Sequence, residues 1–75
     1  MNADDRKALE EIEGKIEELK EQLDAIQMEL EERAGNIPEN FTDRIEALEN
    51  EASELSEAVS DLESCLEHIT MASGE

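Results

Sequence analysis

The apolar residues of this chain recur at alternating spacings of three and four residues, in two runs that a short polar segment separates. This spacing marks the a and d positions of the heptad repeat, lettered a to g, through which α-helices pack side by side. The first run, with a at Leu9 and d at Ile12, consists of Leu9, Ile12, Ile16, Leu19, Leu23, Ile26 and Leu30. The second run, with d at Phe41 and a at Ile45, consists of Phe41, Ile45, Leu48, Ala52, Leu55, Val59, Leu62, Leu66 and Ile69. The pattern predicts an all-α fold of two long amphipathic helices.

The segment between the runs contains residues that end one helix and begin another. Gly35 suits the position just after a helix, and Pro38 suits the first turn of the next one. Asn40 with Asp43 offers an alternative start a few residues later, and Asn2 suits the start of the first helix. We therefore expect a single helical hairpin over residues 1–75, with helix 1 at about 3–34, a turn at 35–38, helix 2 at about 38–71 and a frayed tail at 72–75.

A short turn makes the two helices antiparallel, so the two heptad patterns can be set against each other. With Leu30 opposite Phe41, every a residue of one helix meets a d residue of the other. In this register helix 2 keeps its apolar stripe after that of helix 1 has ended, and Leu66 faces Asp5. We expect this open end to mediate self-association as a homodimer that forms a four-helix bundle. The predicted patch consists of Ala58, Val59, Leu62, Cys65, Leu66 and Ile69.

Charge and composition exclude several classes of partner. The 75 residues include 23 acidic and 6 basic side chains, for a net charge of −17 at pH 7. Nucleic acids and anionic membranes bind cationic protein surfaces, so we expect neither as a direct partner. The sequence contains no apolar stretch long enough for a membrane span and no secretion signal, and its single cysteine, Cys65, suits a reducing compartment. We therefore expect a cytoplasmic protein.

No residue pattern indicates catalysis or a bound cofactor. Cys65 and His68 are spaced to lie near each other on a helix, but a zinc site needs about four ligands and the sequence has no other cysteine or histidine. A site shared between chains is the alternative. A nucleophilic cysteine would need a base and an oxyanion site, and neither is evident. We expect a non-enzymatic protein without metal or cofactor.

The acidic side chains allow a second interpretation of function. Carboxylates on one helix face repeat about every 5 to 6 Å. A rod that carries them can imitate a nucleic-acid backbone and would fit a basic groove. After Arg44 the second helix carries only acidic charges. The candidate residues for such an inhibitor or mimic are Glu49, Glu57, Asp61 and Glu63. The simpler interpretation is that the charge keeps the protein soluble.

The turn and its flanks resemble a known group of small proteins. Residues 36–41, Asn-Ile-Pro-Glu-Asn-Phe, lie among acidic helical repeats such as those at 45–49 and 62–67. This arrangement resembles the small acidic helical-hairpin proteins of phages and prophages, over roughly residues 26–69. The resemblance implies a viral or mobile-element origin, a host-cytoplasm setting and a role exerted by binding. It implies no functional residues.

Overall fold

The computed structural model describes residues 1–74, which form two α-helices and no strand. The helices are α1 (Ala3–Asn36) and α2 (Thr42–Ala72). They pack antiparallel along their length and form a rod of 58 × 15 × 12 Å. The predicted all-α helical hairpin is confirmed.

The start of α1 follows the sequence signal. The side chain of Asn2 accepts a hydrogen bond from the backbone N–H of Asp5 at 2.8 Å. This bond satisfies one of the backbone donors that the first turn of a helix leaves free. Asp4 and Asp5 in that turn add negative charge where the helix dipole is positive. The prediction that Asn2 suits the start of the first helix is confirmed, because Asn2 caps α1 at Ala3.

The end of α2 is closed by a serine and a glycine. The Ser73 hydroxyl donates to the carbonyl of Thr70 at 2.8 Å. Gly74 follows with a left-handed φ of 85°, the conformation in which glycine ends helices. Hydrogen bonds therefore reach through residue 74 in the tail that was expected to fray, while Glu75 lies outside the described residues.

The turn lies later in the chain than predicted. The first helix continues through Gly35, which has no left-handed φ, and ends at Asn36. Ile37 is extended, with φ −83° and ψ 135°, because the ring of the following Pro38 excludes the helical conformation from the residue before it. The N–H of Phe41 then donates to the carbonyl of Pro38 at 3.0 Å and closes the turn.

Two predictions about this turn are therefore wrong. Gly35 is not the residue that ends α1, and Pro38 lies in the turn and not in the first turn of α2. Of the two predicted starts of the second helix, the later one, at Asn40 with Asp43, is closer to the observed start at Thr42. The proline acts on the residue before it, and this effect decides where α1 stops.

The later turn shifts the register by one heptad. Glu39 lies midway between the end of α1 and the start of α2. Residues equally distant from it lie at about the same height on the rod, so Leu30 is level with Leu48 and Leu9 is level with Ile69. The predicted register, with Leu30 level with Phe41, is wrong. A heptad pattern is unchanged by a shift of seven residues, so it could not distinguish the two registers.

An ion pair between the helices confirms the shifted register. The Lys20 Nζ lies 3.8 Å from an Oε1 of Glu63. In the predicted register Lys20 would be level with Glu51, which is about 18 Å along the helix from Glu63 and beyond the reach of the two side chains. At the open end, the guanidinium of Arg6 borders the space beside Gly74, and this proximity also fits the shifted register.

The new register removes the unpaired end of the second helix. Leu66 and Ile69 are both half-buried, and α1 runs alongside them to its first turn. The buried residues of the hairpin are few and mostly small: Leu30, Ala34, Ala52 and Val59. Most of the remaining large apolar side chains of the seam keep part of their surface in contact with water.

Candidate self-association surface

The first helix does not turn its a and d positions toward α2. It turns its a and e positions, since Ala34 is buried and Gln27 is half-buried at e. The three central d residues are left at the side, with exposed fractions of 43% for Ile12, 52% for Leu19 and 47% for Ile26. A row of large aliphatic side chains, two turns apart, therefore runs along the flank of α1.

The second helix faces its neighbour in the conventional way. Its a residues Ala52 and Val59 are 4% and 9% exposed. Its d residues Leu48, Leu55 and Leu62 are half-buried at the margin of the contact. The seam is thus asymmetric: a and e of α1 pack against a and d of α2.

The asymmetry gives the hairpin two unlike sides. One side is lined by e and b residues and carries the Lys20–Glu63 ion pair and a shallow groove bordered by Gln27 and Ser56. The other side carries the d and g positions of both helices, and we refer to it as the d/g face. On α1 its apolar residues are Ala8, Ile12, Leu19 and Ile26. On α2 they are Leu48, Leu55, Ala58, Leu62, Cys65, Ile69 and Ala72.

Charge is distributed unequally between this face and the rest of the molecule. The d and g positions of the two helices hold three acids, Asp5, Glu29 and Glu51, and three bases, Lys15, Arg33 and Arg44. The chain as a whole has 23 acids and 6 bases. The d/g face is therefore neutral and carries half of the basic residues, while the remaining surface carries the whole net charge of −17.

Among the described residues, the charges of the d/g face make no ion pair with one another or with the rest of the hairpin. All six of these side chains are exposed. Among residues 1–74 the ion pairs are those of Lys20 with Glu17 and with Glu63, which lie on the opposite side.

The predicted self-association patch divides between the seam and the d/g face. Val59 and Leu66 occupy a positions and pack against α1. Ala58, Leu62, Cys65 and Ile69 occupy d or g positions and border the face, with Cys65 exposed and the other three half-buried.

The sequence interpretation missed the d residues of α1, because it assigned them to the seam. No signal in the sequence distinguishes the covered line from the free one, because the e positions of α1 are at least as polar as the g positions. The e residues are Arg6, Glu13, Lys20, Gln27 and Ala34, and the g residues are Ala8, Lys15, Gln22, Glu29 and Asn36.

The four acidic residues proposed for a basic partner are all exposed, but they do not form one cluster. Glu57 and Asp61 lie on the outer surface of α2. Glu49 and Glu63 border the grooved side, where Glu63 pairs with Lys20.

Within residues 1–74 no group of three or more histidine, cysteine or acidic side chains is placed to hold a metal ion. Cys65 and His68 are both exposed on α2. Neither helix has the length of apolar sequence that would cross a membrane.

Comparisons with protein families, with curated protein sequences and with solved structures find no match to this chain. The resemblance to phage and prophage hairpins therefore stays a prediction.

Proposed function

We propose that this chain is a non-enzymatic protein–protein interaction module that self-associates, with two hairpins packing through their d/g faces into a four-helix bundle. The observation that carries the proposal is the row of Ile12, Leu19 and Ile26. These side chains are 43–52% exposed in one hairpin although their heptad spacing is that of a helix–helix seam. A second hairpin would cover this row.

The thin interior of the single hairpin supports the same proposal. Only four residues among 1–74 are buried, and two of them are alanines. Small chains without disulfides or metals commonly gain the missing apolar burial by association. The rod is 58 Å long, so a contact along one whole side has room for the roughly 800 Å² per partner that standard protein interfaces bury.

Neutrality of the d/g face removes the main obstacle to association. Two copies that each carry a charge of −17 repel one another, and the repulsion is strongest where acidic surfaces approach. Contact through the one face without net charge keeps the acidic surfaces pointing away from each other. The same acidic surfaces limit further aggregation.

The test compares two exposed apolar residues of α1. Leu19→Glu places a charge at the centre of the d/g face. Met28→Glu adds the same charge at a residue that is 67% exposed and lies at f, away from that face. Sedimentation velocity over a range of concentrations should show a dimer for the wild type and for Met28→Glu, and a monomer for Leu19→Glu. A wild-type monomer, or a dimer that Leu19→Glu leaves intact, would refute the proposal.

A second candidate function is the acidic inhibitor or mimic that occupies a basic surface of a host protein. The concentration of acids outside the d/g face favours it, because a bundle would display them on every outer side. Glu57→Lys with Asp61→Lys reverses charge on the outer surface of α2, and Lys7→Glu serves as a charge variant elsewhere. Mimicry predicts capture of basic proteins that weakens in high salt and in the reversed variant. Capture that is unaffected by either change would exclude it.

A further inference from the structure

The charges of the d/g face bear on how the two hairpins are oriented, a question that rests on the self-association proposed above. Two arrangements bring two d/g faces together with all neighbouring helices antiparallel. In one, both turns lie at the same end and α1 packs on the partner's α2. In the other, the turns lie at opposite ends, so α1 packs on the partner's α1 and α2 on the partner's α2.

We infer that a second copy of this chain docks on the d/g face with its turn at the opposite end of the bundle. The two-fold axis then passes by Leu19 and Ala58. Both residues lie near the middle of their helices, so the two rods overlap along their whole length.

The apolar layers match in this arrangement. On α1, Leu19 meets the partner's Leu19, and Ile12 meets the partner's Ile26. The exposed row is symmetric about its centre, as a two-fold contact of a helix with itself requires.

The contact between the two α2 helices is compatible with the same two-fold axis. With the axis at Leu19, Leu55 lies level with the partner's Leu62, and Leu48 lies level with the partner's Ile69. Ala58 lies at the axis, where its small side chain lets the two helices approach closely. Both halves of the face thus close with one axis.

The charges match as well. At the two ends of the exposed row, Asp5 lies opposite the partner's Arg33 in the same layer. Lys15 and the partner's Glu29 are offset along the helix axis by about six residues, or roughly 9 Å. Side chains lean toward the N-terminus of their own helix, which brings these two toward each other. Acids and bases therefore alternate across the α1 contact.

The same-end arrangement places like charges together. There α1 packs on the partner's α2 in the register that the hairpin itself uses. Glu29 then lies almost level with the partner's Glu51, and Arg33 almost level with the partner's Arg44. Like charges facing each other destabilise a contact, so this arrangement loses the benefit of a neutral face.

Spin labels at two positions distinguish the arrangements. The label is attached to a cysteine at Glu39→Cys in the turn, or at Gln22→Cys beside the axis, in the full chain with Cys65→Ala. The turn is twenty residues from the axis, so opposite ends give a separation of about 60 Å between the two Glu39 labels. Turns at the same end give a separation of less than about 25 Å between the two Glu39 labels, because the axes of neighbouring helices are about 8–10 Å apart. The Gln22 labels lie within about 25 Å in either arrangement.

Pulsed electron–electron distance measurements should therefore give a short distance for Gln22→Cys and a long one for Glu39→Cys. Short distances at both positions would overturn the opposite-end arrangement and leave self-association standing. An absence of coupling at both positions would overturn the inference together with the proposed function.

Discussion

The two helices have the same heptad pattern but use it differently. The a and d residues of α2 both face α1, and Ala52 and Val59 are almost fully covered. The a residues of α1 are covered as well, yet its d residues Ile12, Leu19 and Ile26 are about half exposed. The d residues of α2 are thus more fully covered within the hairpin than the d residues of α1, although both sets border the d/g face.

This difference shows that a heptad seam need not be satisfied by one partner. A single neighbouring helix covers only part of an apolar stripe, and the rotation of each helix decides which residues are covered. Here the rotation of α1 places its uncovered apolar residues on the d/g face, where acidic and basic residues are equal in number. Substitutions at the a positions of α2 should therefore affect folding, and substitutions at the d positions of α1 should affect association.

The largest effect is expected at the covered a line of α2. Val59→Asp buries an unpaired carboxylate between the helices and should destabilise the hairpin by at least about 2 kcal/mol. Ser60→Asp adds the same charge at the adjacent exposed residue. Circular dichroism should show loss of helix at every concentration for Val59→Asp and little change for Ser60→Asp. Equal stability of the two variants would contradict the assigned seam.

A smaller effect is expected at Leu66, which the shifted register places against α1. Leu66→Glu should lower the free energy of unfolding by about 1–2 kcal/mol, because a half-buried leucine is replaced by a charge. Met71→Glu, at a residue that is 72% exposed, is the matched control. Thermal unfolding measures the difference. If Leu66→Glu dissociated a dimer without lowering hairpin stability, the open-end patch expected from the sequence would be restored.

A charge reversal separates the two orientations with a modest effect. Asp5→Arg places like charges opposite each other twice per dimer, and exposed pairs are worth up to about 1 kcal/mol each, so the dimer Kd should rise by roughly 5- to 20-fold. Adding Arg33→Asp to the same chain should restore affinity. These residues lie about 42 Å apart on one helix, so the recovery can only arise between chains. Asp4→Arg controls for the charge of the first turn.

Sedimentation equilibrium measures these affinities. Failure of the double variant to recover would argue against contact between Asp5 and the partner's Arg33. A Kd raised equally by Asp4→Arg would assign the effect to the helix dipole instead.

The smallest effect is expected from pH. Carboxyl groups in model peptides titrate near pH 4 or slightly above it, so lowering the pH from 7 toward 4 reduces the net charge and the repulsion between helices. The exposed Lys20–Glu63 pair opposes this change only weakly. Helicity by circular dichroism should hold or rise near pH 4. A clear loss of helix there would contradict the repulsion argument.

The sequence was sufficient for those features that depend on local chemistry. The apolar spacing predicted both helices, and Asn2 predicted the first cap. The sequence pattern could not predict the register of the two helices, because the pattern repeats every seven residues. The register depends on where α1 ends, which Pro38 determines through its effect on Ile37. The pattern could not predict the rotation of α1 either, since Leu19 has the same apolar character whether it faces α2 or a second copy.

The central claim is that the hairpin associates through the d/g face, and the mass of the unmodified protein in solution tests it most directly. Sedimentation equilibrium over a range of micromolar concentrations should give twice the 8.4 kDa mass of one chain. A mass of 8.4 kDa at every concentration, with the protein fully helical, would show that the exposed row of α1 needs no partner of its own kind and would contradict the account.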